Sequence, residues 1–381
     1  MVKAFRSWPV VPAVFPFFLI LFFLSAYASA PAEPATAADP VARSSKQVRG
    51  VWLHPGYFGA EKGAALEKIR ATLDAYEKAG INTLMVLVKN TSGYLYYASD
   101  IGVRDGAWEW DFFEVFLAEA RKRKMNVHPW FCVFPETSLL GQVREHPEWL
   151  IVGPGREMVR SVNPALPAVR AYEISLMTEL VRKYDVDWVH LDYIRFPCDP
   201  DEPYFSHDAE TLKLFQRDTG VDFAALMAKD SGNPSWNAWL EWNRDQVTRF
   251  LLELREALKA TGRKVRISAA VFPDAANAAV LIGQDWAAWA GQGLVDMTCP
   301  MLYTNDAGMF ERLLKRAVSY GRGRSLVCAG IGIGTSHNRN TPEGMQEQMA
   351  AAREAGADGV IFFSGSSLTQ PFLDRLASAR R

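Results

Sequence analysis

From Arg49 onward, short apolar runs alternate with longer amphipathic stretches, and this alternation limits the possible folds more than any other feature. The runs have the length of strands and lie at 50–54, 82–89, 126–134, 186–192, 264–272, 294–303, 325–333 and 358–364. Stretches of helical periodicity separate them, among them 66–80, 111–124, 168–184 and 341–356. Strands that alternate with helices form a parallel sheet. The pattern predicts an α/β fold, a (β/α)8 TIM barrel. A doubly wound open sheet is the alternative, but no G-x-G-x-x-G follows the first strand.

The first 46 residues differ from the remainder of the chain. Residues 1–30 contain two basic residues, a long apolar run and the small-residue sequence Ala28-Ser29-Ala30, which together predict a signal peptide. An uncleaved anchor is the alternative. Residues 31–46 are rich in proline and alanine and are typical of a disordered linker. The sequence thus predicts a single domain over 47–381, exported to the periplasm or the exterior, with no stable membrane insertion after cleavage.

Composition narrows the choice of partner. Lys plus Arg number 42 and Asp plus Glu number 43, so the chain has no basic excess that would favour nucleic acid. The four cysteines show no C-x-x-C spacing, which argues against a structural zinc site. Aromatic residues make up 12% of the chain, and those not needed for the core would suit flat, partly apolar ligands such as sugar rings.

The run DWVHLD at 187–192 places polar residues in a strand that should be buried. Because side chains alternate between the two faces of a strand, Val189 and Leu191 would face the outer helices while His190 and Asp192 face the barrel interior. The same phase sends Trp52 and His54 inward from the first strand, and His128, Trp130 and Cys132 from the third. The polar residues nearest the carboxyl ends of the strands would therefore lie at the mouth, where barrel enzymes carry their active sites.

Asp192 is the main candidate for a catalytic residue. The alternative is that it only pairs with Arg195 or His190, but a buried pair seldom stabilises a fold on balance. Glycoside hydrolysis uses two carboxyl groups. Glu136, after the third strand, and Asp274, after the fifth, are the candidates for the second group, and either residue can instead cap the helix that follows.

Further polar and aromatic residues are candidates for substrate binding because they end inner strands or follow them. They are His54, Lys89, Asn90, His128, Trp130, His190, Tyr193, Arg195 and Tyr303. Three of the histidines could instead bind a metal with Asp192, but H-x-H and H-E-x-x-H spacings are absent, and we predict neither metal nor cofactor. G-x-S-x-G is absent too, which disfavours serine hydrolase chemistry. The turns GIGIG (330–334) and SGSS (364–367) resemble phosphate-binding turns only weakly.

Several stretches resemble the glycosyl hydrolase-like family 10 barrels of bacteria: RGVWLHP, AGINTLMVLVKN, HPWFCVF and above all YDVDWVHLDYIRFP with the helix that precedes it. The resemblance extends from Arg49 to about Leu368. It implies a (β/α)8 barrel located in the cell envelope that acts on glycans, in some members on the glycan strands of peptidoglycan. It also implies that Asp192, Tyr193 and Arg195 are active-site residues. The third strand departs from the expected H-A-W-F-N, since Cys132 stands where the family pattern has Asn.

These observations favour an exported glycoside hydrolase that cleaves a polysaccharide or a peptidoglycan glycan strand by general acid/base catalysis. A glycan-binding barrel without hydrolytic activity is one alternative. A metal-dependent ester or amide hydrolase is a second. The sequence makes no prediction about oligomeric state.

Overall fold

The computed structural model describes residues 47–198, 203–222, 232–321 and 323–379. Eight parallel strands close into a barrel, and each pairs with its neighbours in chain order. They are β1 (Val48–Leu53), β2 (Thr83–Lys89), β3 (Asn126–Cys132), β6 (Trp188–Asp192), β7 (Arg266–Val271), β8 (Met297–Pro300), β9 (Leu326–Gly332) and β10 (Gly359–Phe363). β10 pairs with β1 and closes the ring. The predicted (β/α)8 barrel is confirmed.

Helices follow the strands along the chain and cover the outside of the barrel. They are α1 (Lys62–Ala79), α2 (Phe112–Lys122), α3 (Gly141–Glu145), α4 (Pro167–Lys183), α5 (Ala209–Thr219), α6 (Pro234–Ala260), α7 (Ala275–Leu281), α8 (Trp286–Gln292), α9 (Ala307–Gly321), α10 (Pro342–Glu354) and α11 (Gln370–Ser378). Among the described residues, none of these helices is both long enough and apolar enough to cross a membrane. The predicted signal peptide and linker lie outside the described residues.

Local sequence signals fix where the elements begin and end. α4 starts with Pro167, whose missing N–H costs nothing in the first turn, and ends with Arg182 and Lys183 beside the negative end of the helix dipole. The next element along the chain is β6, whose five residues are all buried. The core between the strands and the helices is mainly apolar, and its burial is the main source of stability.

The segment between β3 and α4 contains an antiparallel pair that the sequence pattern did not predict. β4 (Leu150–Val152) pairs with β5 (Met158–Val162). The main chain of Glu136 joins this hairpin, because its N–H donates to the carbonyl of Arg160 at 3.1 Å. The long loop after β3 therefore folds back on itself rather than lying loose over the mouth.

Candidate active site

A cavity of about 870 Å³ opens at the carboxyl ends of the strands. Its floor and walls are mainly aromatic and apolar, with Trp52, Trp130, Phe272, Tyr303 and Phe363 among the lining residues. Polar groups enter from the β1, β2, β3, β6, β8 and β9 sides. Among the described residues, Asp192 is the only acidic side chain in the lining. The site therefore combines one carboxyl group with flat apolar surfaces, the surroundings that suit sugar rings.

Asp192 ends β6 at the base of this cavity, and it is 7% exposed. Its Oδ1 accepts a hydrogen bond from its neighbour's main chain, Tyr193 N, at 2.7 Å and another from Arg195 Nη1 at 3.3 Å. Burial raises the pKa of the Asp192 carboxyl, and these hydrogen bonds together with the charge of Arg195 oppose that rise without cancelling it. Asp192 thus holds a proton more firmly than an exposed aspartate does.

Arg195 is held between two aromatic rings. Its guanidinium carbon lies 4.2 Å from the centre of the Tyr193 ring and 4.8 Å from that of Phe272. Tyr193 adopts a left-handed backbone conformation with φ of 51°, which is unfavourable for a non-glycine residue. That conformation turns the main chain just after the strand, so that the N–H of Tyr193 points back at the Asp192 carboxyl. The local backbone and the stacked guanidinium both orient Asp192.

A buried polar relay lies below the floor of the cavity. Trp52 Nε1 donates to His190 Nε2 at 2.9 Å, so the other ring nitrogen of His190 carries the proton and donates to Ser268 Oγ at 3.0 Å. Ser268 Oγ also bonds His128 Nδ1 at 2.9 Å. Burial lowers the pKa of His190 to about 3 and lowers that of His128 well below its usual value. Both rings are neutral and face the interior, as predicted, but neither lines the cavity.

Besides Tyr193 and Arg195, four predicted binding residues line the cavity: His54, Asn90, Trp130 and Tyr303. His54 Nδ1 accepts from Gly56 N at 3.0 Å, so its Nε2 is left as the donor. Burial lowers the pKa of His54, and the nearby carboxylate of Asp105 acts in the opposite direction. The ring of Tyr303 stacks on Phe363 at 5.4 Å.

Trp130 contributes a buried N–H to the lining. Its Nε1 makes no hydrogen bond of regular geometry within the described part of the chain. It nevertheless acts on the Asp192 carboxyl as a hydrogen-bond donor, which lowers the pKa of that group. The Trp130 N–H is thus shared between Asp192 and any ligand oxygen that enters the cavity.

Lys89 does not face the cavity, and the expectation that it does is wrong. Its side chain is fully buried, and its Nζ lies 2.8 Å from Glu136 Oε1 and 2.9 Å from Glu173 Oε1. The register between β2 and β3 shifts between Leu87 and Lys89. This bulge adds one residue and reverses the face to which Lys89 points.

The two candidates for the second carboxyl group also lie outside the cavity lining. Glu136 is 1% exposed and belongs to the buried cluster around Lys89. Asp274 caps α7, where its Oδ1 accepts from Asn277 N at 3.0 Å, as the helix-cap alternative predicted. It lines a smaller neighbouring pocket, which shares Cys198, Phe272 and Pro273 with the main cavity.

Two alternatives considered from the sequence, a metal site and phosphate-binding turns, gain no support from the described residues. The described residues contain no group of three His, Cys, Asp or Glu side chains placed to hold a metal ion. In the GIGIG turn, the space beside Gly332 is filled by Asn338, whose Oδ1 would clash with any Cβ there. The space beside Gly334 is filled by Ser367 in the same way.

Several lining residues were missed by sequence reasoning. Trp52 has the inward phase predicted for β1 but was not predicted to bind substrate, and Phe272 and Phe363 stand just after or at the end of their strands. The alternation of side chains along each strand could have identified these three residues. The segment Thr335–His337 after β9 also lines the cavity, and no periodic signal marks it.

Solved glycoside hydrolases share this barrel fold. The glycoside hydrolase domain of PgaB (BpsB) from Bordetella bronchiseptica superposes with a TM-score of 0.71 at 13% identity, over 87% of this chain and 98% of that one. The catalytic domain of β-amylase from Paenibacillus polymyxa gives 0.59 at 13% identity, over 86% and 94%.

The chain itself belongs to the glycosyl hydrolase-like 10 family, whose model matches residues 47–346. It is similar to glycosyl hydrolase DigH of Escherichia coli K12, with 23% identity over 339 residues that cover 74% of this chain and 72% of DigH. It is also similar to glycosyl hydrolase YngK of Bacillus subtilis, with 21% identity over 302 residues and 69% of this chain. That alignment spans 55% of YngK, roughly half its length.

Proposed function

We propose that this protein is an exported glycoside hydrolase that cleaves glycosidic bonds of a polysaccharide or of a peptidoglycan glycan strand. The family, the glycoside hydrolases that share the fold and the aromatic cavity support carbohydrate as the substrate class. The observation that carries the proposal is Asp192, a buried carboxyl group that opens onto this cavity at the carboxyl ends of the strands.

Asp192 acts as the general acid in this proposal. A leaving glycosidic oxygen needs a proton from a group that still holds one near neutral pH, and burial in an apolar pocket raises a carboxyl pKa in that direction. Arg195 and the N–H of Tyr193 hold Oδ1 of the carboxyl group, and in this proposal Oδ2 gives its proton to the leaving oxygen. General acid catalysis of this kind is worth about 10²- to 10⁴-fold in rate.

The remaining lining residues hold the sugar in this proposal. Trp52, Tyr303 and Phe363 supply flat surfaces for ring stacking, and the exposed ring of Tyr193 extends them towards the solvent. The Nε1 of Trp130 and the Nε2 of His54 are donors available to hydroxyl or carbonyl oxygens. Binding energy from these groups would orient the scissile bond at Asp192.

A matched pair of aspartate variants tests the proposal. The wild-type protein is incubated with intact peptidoglycan, with peptide-free glycan strands and with plant and algal polysaccharides, and products are identified by mass. Asp192→Asn should fold normally and lose cleavage. Asp274→Asn, in which the new side chain still caps α7, should cleave like the wild type. Cleavage that survives in Asp192→Asn would overturn the assignment.

A second candidate is a glycan-binding barrel without hydrolytic activity. It is favoured by the single acidic side chain that the described residues place in the lining, because glycosidases generally use two carboxyl groups. Calorimetric titration separates the candidates: binding of a glycan that the wild type leaves uncleaved after long incubation would favour this second function.

Export is a separate part of the proposal. The predicted cleavage after Ala30 implies a mature protein that begins at Pro31. The intact mass of protein recovered from the envelope or the medium of an expressing bacterium would test this. A mass that retains residues 1–30 would indicate a membrane anchor instead.

A further inference from the structure

Lys89, Glu136 and Glu173 form a buried cluster of three charged residue types beside the end of β3. Lys89 Nζ contacts both carboxyl oxygens of Glu173, at 2.9 and 3.0 Å, and lies 2.8 Å from Glu136 Oε1. All three side chains are at most 1% exposed. Gly93 makes room for Glu136, since a Cβ there would clash with Glu136 Oε2. The described residues therefore enclose the three side chains and separate them from solvent.

The charges of the cluster do not balance if both glutamates are ionised. One ammonium group faces two carboxyl groups, and the other titratable groups that influence them are the Tyr172 hydroxyl and, towards the cavity, the Cys132 thiol. Burial raises the pKa of both the tyrosine and the cysteine, so both stay neutral and change nothing in the charge balance of the cluster. An unpaired buried carboxylate is costly, and the state of lowest free energy keeps one proton on the two glutamates.

The cluster also holds the part of the main chain that adjoins Asp192. Lys89 Nζ donates to the carbonyl of Val133 at 2.7 Å and to that of Cys132 at 3.3 Å. Cys132 is the β3 residue paired with Asp192 on β6, and Val133 N donates to the carbonyl of Asp192 at 2.9 Å. The ammonium group of Lys89 therefore connects both glutamates to the end of β3, the strand that pairs with β6 at Asp192.

We propose that Lys89, Glu136 and Glu173 form a positioning cluster that holds one proton between its two glutamates and keeps the end of β3 in register with Asp192. Lys89 and Glu136 are thus positioning residues that do not touch the substrate. The link to turnover rests on the proposed hydrolase function, whereas the shared proton does not.

The direction of the pH effect follows from Glu173. Burial raises its pKa, the charge of Lys89 lowers it and that of Glu136 raises it, with a net rise to about 8. A carboxyl group whose folded-state pKa is raised stabilises the fold below its unfolded pKa, and this contribution is lost as pH rises through the folded value. The register beside Asp192 should therefore loosen above about pH 8.

Removal of one glutamate charge should abolish this effect. In Glu136→Gln, Lys89 and Glu173 remain as a balanced pair that is ionised across the neutral and alkaline range. Glu253→Gln is the control, because Glu253 pairs with Arg170 at 2.9 Å outside the cluster and is 40% exposed.

Infrared spectroscopy tests the shared proton without any need for turnover. In an Asp192→Asn background, a buried protonated carboxyl band should be present at pH 6 and should disappear on titration through about pH 8. The band should be absent when Glu136→Gln is added and unchanged when Glu253→Gln is added. A band that survives Glu136→Gln, or no band in the parent, would overturn the proposal.

Kinetics test the positioning role. With Asp192 intact, kcat on a cleaved glycan should decrease at alkaline pH in two ionisation steps in the wild type and in Glu253→Gln. In Glu136→Gln it should decrease in one step. KM should change little in all three proteins. Identical alkaline limbs in all three proteins would contradict the positioning role. Absence of any cleavage would count against the hydrolase function, and the infrared titration would then decide whether the cluster shares a proton.

Discussion

Buried carboxyl groups lie in two places at the mouth end of this barrel, and burial raises the pKa of Asp192 in one place and of Glu173 in the other. Asp192 opens onto the cavity and is paired with a guanidinium held between aromatic rings. Glu136 and Glu173 are buried around Lys89, and neither lines the cavity that contains Asp192. The difference teaches that a perturbed pKa alone does not identify a catalytic acid, since access to a cavity is also needed.

The largest effect on stability is expected from the closed cluster. Lys89→Met leaves two buried glutamates without their counter-charge, at a cost of about 3 kcal/mol near neutral pH. At pH 5 the loss should be smaller, because Glu173, whose pKa burial raises, can then be protonated. Urea unfolding at the two pH values measures this. Lys213→Met is the control, since Lys213 is exposed and lies 3.6 Å from Glu210. Equal losses in the two variants would contradict the account.

The pKa of Asp192 should respond to replacement of its partner, Arg195. Arg195 lowers the pKa of Asp192, so Arg195→Gln should raise that pKa and move the alkaline limb of kcat/KM to higher pH. The protonated acid then persists to higher pH, although the maximal rate falls with the loss of orientation. Arg244→Gln, at a surface pair with Asp285, should leave the limb in place. A shift to lower pH would argue against Asp192 as the acid.

The smallest effect concerns the polar relay below the cavity floor. Trp52→Phe keeps a ring but removes the donor to His190 Nε2, which leaves a buried acceptor without its partner. The expected loss of unfolding free energy is about 1–2 kcal/mol. Thermal unfolding measures it, with Trp110→Phe, whose Nε1 donates to the carbonyl of Ala60, as the comparison in a less buried place. An unchanged stability would show that the relay does not support the floor.

Much of the fold followed from the sequence because strands and helices leave different periods in the pattern of apolar residues. The inward phase of β6 and β3 also placed Asp192 and Trp130 on the cavity side, since alternation is strict within a regular strand. Tyr303 and His54 also line the cavity, although both lie just beyond the last residue of their strands.

The failures share a physical cause, namely local departures from regular geometry. The bulge before Lys89 turned that side chain away from the cavity, and no residue in TLMVLVK signals it. The loop after β3 folds into a hairpin and carries Glu136 into the core instead of over the mouth. Non-local contacts decide both outcomes, and one sequence does not display them.

The most direct measurement compares Asp192→Asn with Glu136→Gln on the same glycan at neutral pH, with product mass as the readout and circular dichroism as the check on folding. The account predicts that Asp192→Asn loses about 10²- to 10⁴-fold in turnover, whereas Glu136→Gln keeps the turnover of the wild type. Loss of cleavage in Glu136→Gln with cleavage retained in Asp192→Asn would contradict it.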